Sequence, residues 1–182
     1  MNEYSVNTDS LKALCPRLCA GDRVFLSGKV YTARDAAHKR IFEDMENGGK
    51  PPFEIKNAVI YYAGPTPTPE GLAIGSCGPT TSARMDKYTP TLLDLGLAAT
   101  IGKGERDEKV VSAIVKNGSV YLCAIGGAGA LASRHITENE VIAYDNLGCE
   151  SVKRLNFDNF PLIVGIDSKG NSIFDRQMTD AG

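Results

Sequence analysis

Short β-branched and aromatic runs alternate along this chain with amphipathic helical patterns, and that alternation confines it to an α/β architecture. Arg23 to Tyr31, Arg-Val-Phe-Leu-Ser-Gly-Lys-Val-Tyr, reads as a strand. Ala33 to Asn47 reads as a helix, with Thr32 as candidate N-cap, Ala36, Ala37, Ile41 and Met45 apolar, and Gly48-Gly49 as its stop. Asn57 to Ala63 and the shorter Leu72 to Ile74 are strand candidates on either side of a proline-stiffened loop, Gly64 to Pro69. A helix end over Leu92 to Gly96, a strand at Ala98 to Ile101, a helix over Glu105 to Asn117 capped by Gly118, and a strand from Ser119 to Ile125 follow in turn. Further strands are predicted at Val141 to Asp145 and Pro161 to Asp167, with a hairpin-like turn at Ser168 to Asn171. Residues 1–20 read as a lead-in whose short helix, Ser10 to Leu14, is stopped by Pro16, leaving 21–182 as one domain. Short apolar runs carry little topology, so pattern alone does not choose between a doubly wound sheet and another mixed arrangement.

Charge and composition narrow the function. A net charge of -2 without a basic cluster leaves no electrostatic footprint for nucleic acid. No apolar run is long enough to span a bilayer, and Met-Asn-Glu-Tyr-Ser-Val-Asn lacks the regions of a signal peptide, so a soluble, cytoplasmic protein is expected. The 5 cysteines are an odd number and read as reduced thiols. Only Cys15 and Cys19 are closely spaced, and with His38 and His135 as the histidines neither a four-ligand zinc site nor a ferredoxin-like cluster has its ligands; no metal site is expected in this chain. Gly126 to Gly129 does not meet the dinucleotide spacing and reads as a turn opening a short helix, suited to packing or to a substrate's close approach.

The most informative stretch is Gly75 to Thr89, Gly-Ser-Cys-Gly-Pro-Thr-Thr-Ser-Ala-Arg-Met-Asp-Lys-Tyr-Thr. A strand signal runs into a Gly-Pro turn, a hydroxyl cluster suited to capping, and a helical pattern with Arg84 in its first turn. Open N–H groups, the hydroxyls of Thr80, Thr81 and Ser82, and the Arg84 guanidinium would together suit a carboxylate or phosphate. An ordinary capped helix reads equally well from these residues alone.

Gly78-Pro-Thr-Thr-Ser-Ala-Arg-Met-Asp-Lys-Tyr-Thr-Pro90 resembles the signature of the C-terminal, or beta, part of class I iron-sulfur-dependent fumarate hydratases and the related tartrate dehydratases. Ser27 to Arg40, with its Ala-Arg-Asp-Ala-Ala-His run, Ile101-Gly-Lys-Gly104, Ala124 to Ala130 and Phe160 to Gly170 extend the resemblance in the same order over most of the chain. It implies a single swivelling β/β/α domain with a mixed sheet and a partly closed barrel. It also implies that Arg34, Arg84 and Lys103 contact a small dicarboxylate, with Thr80 as the base and Thr81 as a neighbouring substrate-binding hydroxyl. His38, four residues after Arg34 and on the same helix face, is the other proton-transfer candidate, and Asp35 is expected to orient Arg34 or His38.

Dehydrating malate requires cations to hold the carboxylates, a base for the carbon-bound proton, and a Lewis acid for the hydroxide. The resemblance places the Lewis acid, a [4Fe-4S] cluster, on a separate alpha part, so this chain is expected to be a beta subunit in a hetero-oligomer, for which α2β2 is one arrangement. Ala33, Ala36 and Ala37 tilt the reading to fumarate and malate over tartrate, while Cys77 stands where a small residue is expected and could make the site thiol-sensitive. The rival reading is a non-enzymatic carboxylate-binding module. For Arg34 and Arg84 the plain alternative is a surface ion pair with Asp35 or Asp86, and for Lys103 a solvated loop.

Overall fold

A computed structural model describes residues 1–125 and 129–175. Its strands are β1 (Glu3–Asn7), β2 (Arg23–Thr32), β3 (Val59–Tyr61), β4 (Ala99–Gly102), β5 (Val120–Cys123), β6 (Ile136–Ala143) and β7 (Val152–Ile166). The helices are α1 (Thr8–Leu14), α2 (Asp35–Glu46), α3 (Thr89–Asp94), α4 (Glu108–Asn117) and the short α5 (Gly129–Ala132). The strand order is β1-β2-β3-β4-β5-β7-β6, and β2 pairs again with β7, so β2, β3, β4, β5 and β7 close into a barrel with β1 and β6 outside it. Strands β1 to β5 run parallel, whereas β7 is antiparallel to β2, β5 and β6.

Alternation along the strands decides which face is which. Val59, Tyr61, Ala99, Ile101, Val120 and Leu122 face a core shared with Phe157 and Phe160, whose rings stack at 4.1 Å. Their neighbours Ile60, Tyr62 and Tyr121 face outward under Ala37 and Ile41 of α2, Leu92 and Leu93 of α3, and Val110 and Ile114 of α4. Each such fully buried aliphatic or aromatic side chain contributes roughly 1.5–3 kcal/mol relative to exposure. These are the two cores of a β/β/α domain with a closed, mixed barrel.

Several sequence expectations shift. Residues 1–20 contain the expected helix and also β1, and Leu11, Cys15 and Leu18 enter the barrel core. Lys12 Nζ donates to the Asn117 carbonyl at 2.7 Å and to Ser119 Oγ at 2.9 Å, just before β5, so α1 covers the barrel end where the parallel strands begin. Thr32 does not cap α2: its hydroxyl oxygen accepts from the Lys153 N–H at 3.1 Å inside the sheet, and the N-cap position is Arg34. Leu72 to Ile74 form no strand. The strand expected at Val141 to Asp145 starts earlier, at Ile136, because its polar outer face hides an edge strand, and the left-handed φ of 56° at Tyr144 ends the segment. Strand β7 is longer than Pro161 to Asp167 because a register shift opposite Leu26 and Gly28, with Asn159 at φ 48°, absorbs the turn-like Asp158-Asn159 pair. Of the Gly126 to Gly129 turn, residues 126–128 lie outside the described residues, and the helix after them is α5.

Candidate active site

The parallel strands end together at one mouth of the barrel, and the motif residues lie there, as ligand sites in α/β sheets commonly do. After β3 and β4 the chain continues in extended form, and Pro79 to Thr81 threads between the two extensions: Ala63 pairs antiparallel with Pro79, and Thr81 pairs parallel with Lys103. The Thr80 N–H donates to the Tyr62 carbonyl at 2.6 Å, and the Thr80 carbonyl accepts from the Lys103 N–H at 3.4 Å. Thr80 is thus held by its backbone from both sides. The close approach depends on Gly102, where a Cβ would lie 2.0 Å from Ser82 Oγ and 2.9 Å from the Tyr62 ring. Ser82 consequently points inward to the Tyr121 hydroxyl at 2.8 Å and does not join Thr80 and Thr81 at the mouth.

The predicted capped helix at this motif is a short 3-10 turn, Ser82–Met85, with no side-chain cap. So short a turn has little dipole, so its N-terminus by itself offers little to an anion. Arg84 Nε donates to Asp35 Oδ1 at 3.0 Å, and Arg84 Nη2 lies 2.9 Å from Asp35 Oδ2. Asp35 therefore holds Arg84, and neither Arg34 nor His38 is its ion-pair partner. Arg84 retains 52% side-chain exposure, which leaves room for a ligand at its free end. Arg34, half-buried at the start of α2, has Glu150 Oε1 3.7 Å from its Nε. Lys103 and Thr81 are exposed, and Thr80 is half-buried. Arg34, Asp35, Thr80, Thr81, Arg84 and Lys103 are brought to the same mouth.

His38 is not at that surface. It is fully buried, its Nδ1 lies 2.8 Å from the Arg34 carbonyl oxygen, and its ring packs 5.6 Å from Tyr62 and 5.4 Å from Tyr88. A carbonyl only accepts, so Nδ1 carries the proton and Nε2 is a buried acceptor without a hydrogen bond among the described residues. Burial pushes its pKa down from 6.5 to about 4. Because the unfolded chain then binds more protons than the native one, stability is intact above pH 6.5 and falls as the pH drops toward 4. The expected loss is on the order of 3 kcal/mol, read by denaturant titrations across that window. A His38→Gln variant with an unchanged pH slope would refute the assignment.

One contributor was not singled out by sequence reasoning. Arg106, two residues beyond the Gly-Lys-Gly run, has a wholly buried side chain that donates to Asp86 Oδ1 at 2.6 Å, Thr89 Oγ1 at 2.7 Å and Thr100 Oγ1 at 3.0 Å. Its guanidinium carbon lies 5.3 Å and 5.0 Å from the Tyr62 and Tyr121 ring centroids. Asp86, expected beside Arg84, is thus consumed by Arg106, and its second oxygen accepts from the Asp107 N–H at 2.8 Å at the start of α4. This hub fixes the floor beneath Thr80 and Arg84. The Met85-Asp86 pair after Arg84 is the signal that could have found it, since an acid beside buried Met85 needs a partner.

Cys77 is fully buried and its thiol is pushed up to about 12 by desolvation, which corrects the expectation of a thiol-sensitive site. Native alkylation is expected to modify the exposed Cys19 and Cys149 and to spare Cys77, as peptide mass mapping would read. The cysteines are dispersed, and among the described residues no three His, Cys, Asp or Glu side chains gather as metal ligands. The donor set of these residues does not fit an iron-sulfur cluster. No helix among the described residues is long and apolar enough to cross a membrane.

Comparison with known proteins places this chain in a family. The family described as "Fumarase C-terminus" matches residues 1–177. Fumarate hydratase 2 of Leishmania major is 40% identical over 172 residues, covering 93% of this chain and 30% of that protein. The aerobic class I fumarate hydratase of Escherichia coli is 42% identical over 160 residues, 86% of this chain and 29% of that protein. A putative L(+)-tartrate dehydratase subunit beta of Methanocaldococcus jannaschii is 39% identical over 180 residues, 96% of this chain and 92% of that subunit. The chain thus spans about 30% of the length of the fumarate hydratases it matches and nearly all of the beta subunit.

Proposed function

This chain belongs to the fumarase C-terminal family, and from that premise we propose that it is the beta part of a two-part hydro-lyase interconverting fumarate and (S)-malate. The observation that carries the reading is the convergence of Arg34, Thr80, Arg84 and Lys103 on one mouth of the barrel. Arg34, Arg84 and Lys103 bind the two carboxylates and stabilise the charge that develops when the adjacent carbon loses its proton. Thr81 adds a hydroxyl at the same edge. Thr80 takes the proton, because its backbone is pinned beside Lys103, whereas the His38 ring is sealed on the buried face of α2 and serves instead to hold the first turn, next to Arg34. Asp35 acts through Arg84, fixing the direction of its guanidinium. A [4Fe-4S] cluster on an alpha partner is the proposed Lewis acid, and what this chain supplies is binding, orientation and proton transfer.

The similarity to a putative L(+)-tartrate dehydratase subunit beta supports the two-part reading and keeps tartrate as a second substrate. The test is to combine the chain anaerobically with a cluster-bearing alpha partner and assay fumarate, malate and tartrate. The expected result is turnover of fumarate and malate by the pair and none by the colourless chain alone. Activity on tartrate alone would transfer the assignment, and turnover by the isolated chain would end the half-site reading.

In that complex Arg84→Ala is expected to lower activity by about two to three decades, the scale for losing one preorganised charge stabiliser. The melting temperature should stay nearly unchanged, since Arg84 is half-exposed and its ion pair with Asp35 stabilises little. Unfolding of the variant would return Arg84 to a structural role.

A further inference from the structure

Arg34 lies in a slot that no motif announced. A Cβ at Gly64 would stand 2.8 Å from Arg34 Nη1, 3.0 Å from its Cδ and 3.2 Å from the Cys149 carbonyl oxygen. The arginine side chain therefore runs flat across the bare Cα of Gly64, in space that any other residue would fill. Glu150 closes the slot from another side, with Oε1 3.7 Å from Arg34 Nε and accepting from the Ala36 N–H at 3.3 Å. The turn that carries Glu150 is itself fastened. Buried Lys153 donates through Nζ to Ser151 Oγ at 2.6 Å and to the Gly148 and Cys149 carbonyls at 3.2 Å, and the Tyr144 hydroxyl donates to Asp44 Oδ2 on α2 at 2.6 Å.

We propose that Gly64 and Glu150 are positioning residues for Arg34, Gly64 by leaving the slot and Glu150 by holding the Nε edge. The Nη1 and Nη2 end is then presented to a substrate carboxylate; this last step rests on the dicarboxylate reading given above. Arg84 is held more tightly, hydrogen-bonded to Asp35 along its Nε and Nη2 edge, whereas the buried Arg34 Nε faces Glu150 as a charge contact at 3.7 Å without a hydrogen bond among the described residues. Each arginine is thus steadied by an internal acid on one edge while the other edge, which suits a bidentate carboxylate, stays available. An arginine side chain left loose would lose rotamer freedom on binding, and preorganisation removes much of that cost.

Gly64→Ala tests the slot without changing charge. The nearest atoms to the added methyl belong to a flexible side chain, so the variant is expected to fold with a melting temperature close to that of the wild type and with Arg34 displaced. In the reconstituted complex the KM for fumarate should rise about tenfold and kcat should fall with it, because a displaced Arg34 binds the carboxylate less well and stabilises less of the charge that develops on it. A crystal structure of the variant chain with Arg34 still over position 64 overturns the proposal whatever the kinetics, and so does an unchanged KM with Arg34 displaced. If the wild-type complex turns over no dicarboxylate, the functional reading fails, while the variant's crystal structure still decides whether Gly64 seats Arg34. Should Gly64→Ala not fold, Glu150→Gln keeps an acceptor for the Ala36 N–H and removes only the charge facing Nε. Hydrogen exchange at Arg34 Nε, followed by NMR, should then accelerate several-fold, and an unchanged rate overturns the proposal.

Discussion

Thr80→Val is expected to abolish hydration of fumarate by the reconstituted complex while leaving dicarboxylate binding largely intact. Valine matches threonine in shape but offers no proton acceptor, and loss of a positioned base costs about two to four decades in rate. A threonine hydroxyl is a poor base until neighbouring cations favour its ionised form, which makes its placement beside Lys103 part of the requirement. Thr80→Ser keeps the hydroxyl and should retain measurable turnover. Exchange of the malate carbon-bound proton with solvent deuterium separates proton removal from hydroxide departure. Were Thr80→Val to exchange that proton at the wild-type rate, Thr80 would not be the base, and His38 would return as a candidate despite its burial. In that case Thr80→Val should lose only a positioning hydrogen bond, about 1–3 kcal/mol.

Arg106→Met is expected to destabilise the folded chain more than any substitution at the exposed mouth. It strands the carboxylate of Asp86, 7% exposed, without its charge partner, and breaking a buried pair from one side costs about 3–5 kcal/mol. For a chain of this size that lowers the melting temperature by roughly 2–4 °C per kcal/mol, so a loss near 10 °C is anticipated. Replacing both partners, as in Arg106→Met with Asp86→Leu, removes the stranded charge and should recover much of the stability. Additive losses in the double variant, measured by denaturant unfolding, would show that the hydrogen bonds of Arg106 to Thr89 and Thr100 outweigh its pairing with Asp86. Activity should fall with either single substitution, because Asp86 and Arg106 underlie the turn that carries Arg84.

The α/β class, the strand cores at Arg23 to Tyr31 and Ala98 to Ile101, and the helix stopped by Gly118 were legible because they depend on local preference and short periodicity. Gly118 takes φ 57° as a left-handed C-cap residue, which a glycine after an amphipathic run announces by itself. The runs that contain Arg34, Thr80, Arg84 and Lys103 were legible as family motifs, while the roles of these four residues are those proposed above. Barrel closure was not. It requires β7 to pair with both β2 and β5, and nothing in Val152 to Ile166 alone reports its neighbours.

Ion-pair partners were likewise decided by tertiary structure. Sequence proximity suggested Asp86 for Arg84 and Arg34 for Asp35, yet Arg84 pairs with Asp35, 49 residues away, and Asp86 pairs with Arg106, 20 residues away. An ion pair needs its charges within a few ångströms, and that distance is set by how strand ends and helix starts meet at the barrel mouth. For His38 the decisive quantity was depth. The residue type and its spacing from Arg34 follow from the sequence, but the Tyr62 and Tyr88 rings that bury it come from the residue just after β3 and from the segment before α3. The sequence by itself determined which chemical groups are present and in which local conformations. The closed barrel determined which of them face the mouth and which are sealed beneath it, because burial and charge pairing depend on contacts between segments far apart in the chain.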